Sequence, residues 1–109
     1  MKSKISLVVP VFNEAEEIAN FFNELKICNS NLVNEIIFVD DCSSDNSFSL
    51  LEKKINEFKN LLSNINFLLI ENLKNRGYGF SIKRGVSISK NESIAIIDLD
   101  RTYKIEDLN

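Results

Sequence analysis

The side chains with the most chemical reach in this 109-residue sequence are acids that close apolar runs. Asp98 and Asp100 stand two apart after Ser93-Ile94-Ala95-Ile96-Ile97. Asp40 and Asp41 follow Glu35-Ile36-Ile37-Phe38-Val39, and Glu14 follows Pro10-Val11-Phe12-Asn13. Arg76 sits in Asn75-Arg76-Gly77. Brought to one rim, these five carboxylates would repel one another unless a cation sat among them. A hard divalent ion with oxygen ligands is the natural solution, and Asp98 and Asp100 can both turn toward one such ion. An ion of this kind typically bridges the diphosphate of a nucleotide, where its chemistry is Lewis-acid help to a departing phosphate.

A single rim requires an α/β arrangement, and the hydrophobic pattern supplies one. Ile5 to Val9 is a near-continuous apolar run stopped by Pro10, the signature of a strand buried on both faces of a parallel sheet. Ile18, Phe21, Phe22 and Leu25 form one stripe of a helix whose first turn holds Glu14, Glu16 and Glu17, favourable at the positive end of the dipole. The run from Glu35 to Val39 predicts a second strand. Phe48, Leu51, Ile55, Phe58 and Leu62 predict a second helix, and Phe67 to Ile70 a third strand. Phe80 to Ser89 fits either alternation or a narrow helical face of Ile82, Gly85 and Val86; helix is preferred because a crossover must precede the next strand. Ser93 to Ile97 is the fourth strand. The order βαβαβαβ implies a parallel sheet with right-handed crossovers. Ligands of such sheets bind beyond the carboxyl ends of the strands, and all four strand ends here carry polar signals.

Composition narrows the partners. The length fits one domain over residues 1–109, and the 44% hydrophobic and 27% charged content is that of an ordinary globular chain. A net charge of −3 with no basic stripe argues against nucleic acid. No apolar run approaches the roughly 20 residues of a membrane span. With no histidine and no CxxC pair, Cys28 and Cys42 read as free thiols of a reducing cytoplasm rather than zinc ligands. Taken singly, each motif has a plainer reading. Asp45 fits a helix cap. Gly77-Tyr78-Gly79 fits a turn, lacking both the dinucleotide spacing and the Lys-Ser/Thr of a P-loop. Arg76 and Arg84 could be solvated charges, and Tyr78 and Tyr103 could cover apolar surface.

Together, the motifs resemble a known family. Val8-Val9-Pro10-Val11-Phe12-Asn13-Glu14-Ala15-Glu16 is similar to the opening of family 2 glycosyltransferases of the GT-A fold, and Ile36 to Asp45 to their Val-Asp-Asp-Gly-Ser-x-Asp signature. Asn75-Arg76-Gly77-Tyr78-Gly79 resembles their Asn-x-Gly-x-Gly segment, and Asp98-Leu99-Asp100 stands where they carry Asp-x-Asp. The polyprenyl-phosphate and dolichyl-phosphate sugar transferases are the most similar branch. The resemblance implies strand order 3-2-1-4 and transfer, with inversion, of a sugar from UDP, GDP or another nucleotide to an acceptor such as a polyprenyl phosphate or a glycan. Pro10, Val11, Asn13 and Glu14 would line the nucleoside pocket, with Glu14 near the ribose. Asp41 and Asp40 would bond the base, Arg76 and Gly77 would lie near base or diphosphate, and Asp98 and Asp100 would hold Mg2+ or Mn2+ against the diphosphate, so that Asp98 also counts among the nucleotide-binding residues.

The chain departs from that pattern in three places. Cys42 replaces the usual glycine, which predicts a loop that avoids glycine-only angles. Thr102 stands where the polyprenyl-phosphate branch often has glutamine. The sequence stops at Asn109, before the expected catalytic base and acceptor half, so the resemblance implies the donor half of a cytoplasmic enzyme that meets its acceptor at the inner face of a membrane and turns over weakly or not at all in this piece. Strand four, lacking its usual neighbour, would offer an edge for self-association. Two rival readings use the same fold. One is a non-catalytic nucleotide-binding or interaction module; an interaction module that kept the fold and lost the chemistry would not change on substitution of Asp98 or Asp100. A phosphoacceptor receiver would need its acidic pair after the first strand rather than the second, and a lysine after a fifth strand.

Overall fold

A computed structural model describes residues 3–28 and 31–100 of the chain. Thr102, Tyr103 and the segment 104–109 lie outside the described residues. The elements run β1 (Ile5–Val11), α1 (Ala15–Cys28), β2 (Val33–Asp40), α2 (Ser47–Phe58), β3 (Asn66–Glu71), α3 (Tyr78–Ile88) and β4 (Ser93–Ile96). The four strands form one parallel sheet in the order β3-β2-β1-β4, so the order reverses between β1 and β4.

The strand ends differ from the sequence reading in an informative way. Pro10 does not stop β1, which continues to Val11 and pairs Pro10 with Val39 and Val11 with Asp40. Pairing with β4 ends earlier, at Val8 opposite Ile96. Alternate residues of a parallel strand face alternate neighbours. Val8 O accepts from Ile97 N on the β4 side, and Val11 O accepts from Asp41 N on the β2 side. Pro10 therefore faces β4 beyond its last paired residue, where a missing N–H forfeits no ladder bond. β1 and β4 part at this proline.

Period-two alternation sends Leu7, Val9 and Val11 to one face and Val8 to the other. The first face is thick. The α1 stripe of Ile18, Phe21, Phe22 and Leu25 packs there together with Leu51 and Phe58 of α2. Phe22 is fully buried and centres a group of rings, 5.6 Å from Phe38, 5.1 Å from Phe58 and 6.0 Å from Phe67. Truncating such a ring to alanine costs about 3–5 kcal/mol, so this layer is a main anchor of the fold.

The second face, built on Val8, Ile37 and Val39, is covered by α3. The helix expected over Phe80–Ser89 forms, but its buried face is Ser81 and Gly85 rather than Ile82 and Val86. Small residues four apart let the helix press onto the sheet. A Cβ on Gly85 would lie 2.5 Å from Val8 Cγ1, so only glycine permits this approach. The closeness fixes α3, and with it the loop at its N-terminus.

Candidate functional site

The carboxyl ends of all four strands open into a cleft of about 530 Å³. Its walls are Pro10 and Val11 at the end of β1, Phe12 and Glu14 after it, Asp41 after β2, Asn75 and Gly77 before α3, Tyr78 and Ser81 on α3, and Asp98 and Asp100 after β4. Asp41, Asp98 and Asp100 thus share one cavity. It lies at the strand-order reversal, where the parting of β1 and β4 leaves a crevice.

The two acids after β2 have different fates. Asp40 is buried and does not line the cleft; it accepts from Ser43 N at 3.1 Å and Ser43 Oγ at 2.7 Å, closing the turn that follows β2. Asp41 faces the cleft. Its Oδ1 accepts from Asn72 Nδ2 at 2.9 Å and Arg76 N at 2.7 Å, and its Oδ2 from Gly77 N at 2.9 Å. Burial pushes the Asp41 carboxyl upward, yet the donors from Arg76, Asn72 and Gly77 and the charge of Arg76 together hold it below the usual aspartate range. The expected ring of five mutually repelling acids is therefore reduced, because Asp40 turns away from the cleft and protein donors stabilise the charge on Asp41.

The repulsion that survives involves Glu14, Asp98 and Asp100. Glu14 is half-buried, and its carboxyl lies above the usual range, first through burial and further through the negative charges of Asp100, Asp98 and Glu17, against one weak bond from Phe12 N. Its Oε2 is buried and has no hydrogen-bond partner among the described residues. Tyr78 does not cover apolar surface. It is largely exposed, and its hydroxyl donates to Asp98 Oδ1 at 2.6 Å across the cleft.

Asn13 serves the adjoining loop. Its Oδ1 accepts from Ser44 N at 2.8 Å and Asp45 N at 3.2 Å, and its N donates to Ser43 Oγ at 2.9 Å. It lines a neighbouring acidic groove rather than the main cleft. Arg76 reaches the site through its backbone N–H, while its guanidinium rests 4.5 Å over the Phe80 ring. Asp45 joins both helix starts, accepting from Ser47 N at 2.9 Å and Ala15 N at 3.3 Å.

Backbone strain concentrates in the same loops. Asn13, Cys42 and Gly77 have positive φ, at 51°, 57° and 98°. The loop does not avoid the left-handed region at Cys42, contrary to expectation. Its bonds to Asp40 and Asn13 hold it there despite the Cβ, at a cost of about 1–2 kcal/mol. Gly77, near +98°, has a conformation that L side chains rarely adopt.

Sequence reading passed over Asn72 and Ser81. Asn72 is buried behind Asp41, donating also to Ser81 Oγ at 3.0 Å and accepting from Arg84 Nη1 at 2.7 Å. Arg84, read as a solvated charge, is part of this network. The only advance signal was the Ser81/Gly85 spacing, which marks a small-residue helix face.

The sequence matches the profile of glycosyl transferase family 2 over residues 6–109. It is 30% identical over 96% of its length to the dolichyl-phosphate beta-glucosyltransferase of Dictyostelium discoideum, covering 33% of that protein. It is 33% identical over 90% of its length to the undecaprenyl-phosphate 4-deoxy-4-formamido-L-arabinose transferase of Proteus mirabilis (strain HI4320), covering 29% of it. The chain thus spans about a third of these curated relatives. Among solved structures it superposes on the mannosyltransferase PcManGT from Pyrobaculum calidifontis in complex with GDP-Man and Mn2+, with TM-score 0.75 at 18% identity, over 98% of this chain and 30% of that one. It also superposes on S. aureus TarS 1-349 in complex with UDP-GlcNAc, with TM-score 0.73 at 24% identity, over 89% of this chain and 26% of that one. These likenesses establish the fold as GT-A, with the expected strand order 3-2-1-4. On the family match and the curated relatives, this chain belongs to glycosyl transferase family 2.

Proposed function

We propose that this chain is the donor-binding part of a glycosyltransferase, holding a nucleoside-diphosphate sugar between β1 and β4 for transfer with inversion to an acceptor. The observation that carries this reading is the convergence of all four strand ends on one cleft at the strand-order reversal, with Asp41, Asp98 and Asp100 in its walls. Pro10 and Val11 would floor the nucleoside, and Asp41 would accept from the base through Oδ2, which receives one protein donor where Oδ1 receives two. Glu14 would meet the ribose, whose hydroxyls could satisfy its unpartnered oxygen. Gly77 and Arg76 would flank base or diphosphate, while Asn13 and Asp40 would act by shaping the loops.

Asp98 and Asp100 would hold Mg2+ or Mn2+. Their oxygens suit a hard divalent ion, and a cation would offset the charge of Asp100 and Asp98 that adds to burial in raising Glu14. Among the described residues no three Asp, Glu, Cys or His side chains form a cage by themselves. The remaining ligands would be diphosphate oxygens and water, the usual mode of Mg2+. When bound, such an ion neutralises charge on the departing diphosphate. Support comes from the neighbours solved with GDP-Man and Mn2+ and with UDP-GlcNAc.

The names of the curated relatives support a polyprenyl phosphate as acceptor; a role in cell-wall or other glycan synthesis at the cytoplasmic face of a membrane is proposed with it. No described helix is long and apolar enough to cross a membrane. Because the chain spans about a third of those relatives, binding rather than turnover is the activity proposed for these residues alone. The β4 edge is proposed to pair copies at high concentration, which light scattering reads. Isothermal titration with UDP and with GDP, each with and without Mn2+, tests the main reading. Binding of one nucleotide only with metal is expected; a folded sample that binds neither under any metal condition overturns it.

A further inference from the structure

We propose that Asn72 is a positioning residue for nucleoside recognition, holding the Asp41 carboxylate in the one orientation that leaves Oδ2 as the acceptor facing the cleft. The inference rests on the donor-site reading above. Asn72 does not line the cleft and is 1% exposed at the end of β3. Its backbone N donates to Asp40 O at 2.8 Å, which fixes its start beside β2. Both ends of its amide are engaged: Nδ2 donates to Asp41 Oδ1 at 2.9 Å and Ser81 Oγ at 3.0 Å, and Oδ1 accepts from Arg84 Nη1 at 2.7 Å.

Arg84 sets the polarity of this arrangement. A guanidinium can only donate, so it must face the carbonyl oxygen of the amide, and the NH2 is turned toward Asp41. That NH2 and Arg76 N fill Oδ1, leaving Gly77 N alone on Oδ2. A carboxylate has about four lone-pair sites, so the spare capacity is on Oδ2. Arg84 also donates to Glu71 O at 3.2 Å, which ties α3 to β3 beside the same group. The orientation of a cleft residue is thus set from a helix that packs on the other face of the sheet from α1 and α2.

Asn72→Asp tests this with almost no change of shape. It replaces the donor toward Asp41 by an acceptor of like charge. UDP, GDP and inorganic pyrophosphate are titrated, each with Mn2+, into wild type, Asn72→Asp and Arg84→Met. Expected is a loss of roughly ten-fold or more in affinity for whichever nucleotide wild type binds, with pyrophosphate affinity held within about two-fold, and a smaller nucleotide-selective loss in Arg84→Met. The ratio of nucleotide to pyrophosphate affinity does not depend on the folded fraction, so a general loss of structure leaves it unchanged. An unchanged ratio overturns the proposal. If Asn72→Asp fails to fold, the exposed Arg84 carries the test by the same ratio. Wild type that binds pyrophosphate and neither nucleotide removes the donor-site reading, and this proposal with it, and is recognised from the wild-type titrations alone.

Discussion

Two buried acids, Glu35 near the start of β2 and Asp41 just past its end, are treated differently by the two ends of the sheet. Glu35, 2% exposed, lies at the end where the strands begin. Its Oε1 accepts from Ser6 Oγ at 2.6 Å and Lys90 N at 2.9 Å, and Asn91 closes the group by donating to Ser6 Oγ and Asn34 Oδ1. It lines neither cleft described above. Asp41, 5% exposed, lies just beyond the other end, takes three N–H donors and still forms part of a cavity wall. Burial and satisfaction are nearly the same for both. Access separates them: an enclosed carboxylate ties loops together, whereas one with a face on a cleft can also meet a ligand. The three positive-φ residues described in the chain all lie on the Asp41 side, so strain and access occur together.

The largest effect that would sharpen this contrast is expected at the cleft acids. Asp98→Asn or Asp100→Asn should lower Mn2+-dependent nucleotide affinity by roughly 100-fold or more while leaving the melting temperature close to wild type, because each removes a charged oxygen from an open rim. Unchanged titrations would favour the non-catalytic reading. Glu35→Ala should do the reverse. It strands the buried Ser6 hydroxyl and the part-buried Lys90 N–H, costing about 2–3 kcal/mol in urea unfolding, with nucleotide affinity of the folded protein intact. Loss of affinity in that variant would break the division between the two ends.

Cys42→Gly should gain about 1 kcal/mol, since it relieves a Cβ in the left-handed region; a loss would show that the thiol, 3.7 Å from Leu73 O, matters more than φ. Glu14→Gln should have the smallest effect and depend on pH. A raised carboxyl contributes most stability below its ordinary value and loses it as pH rises through the raised value. Neutralising Glu14 should therefore stabilise the protein at neutral pH, with the gain fading in acid. Asp41 is lowered and runs the other way, its contribution present at neutral pH and lost as pH falls through the lowered value. Urea melts of wild type and Glu14→Gln at neutral and acidic pH separate the two signs.

Much of this was legible in the sequence for identifiable reasons. The strands show because both-face burial demands unbroken apolar runs, and the α1 stripe of Ile18, Phe21, Phe22 and Leu25 because one helix face meets the core. α3 was harder, since its buried face is Ser81 and Gly85, which carry almost no hydrophobic signal. Asp40 and Asp41 are indistinguishable as text; the bend after β2 turns one into Ser43 and the other toward the cleft. Asn72 is one asparagine among many, and its role exists only once α3 brings Arg84 beside it. Cys42 shows that hydrogen bonding around a loop can hold a conformation that residue type alone would disfavour.

Pro10 has a consequence for the economy of binding. Because a proline occupies the position where the β1–β4 ladder would next close, the N–H for that next bond is missing and pairing toward the acids is disfavoured. The crevice needs no guest to pry it apart. An incoming nucleotide would meet a gap already standing, and the work of wedging two strands asunder would not be subtracted from its affinity.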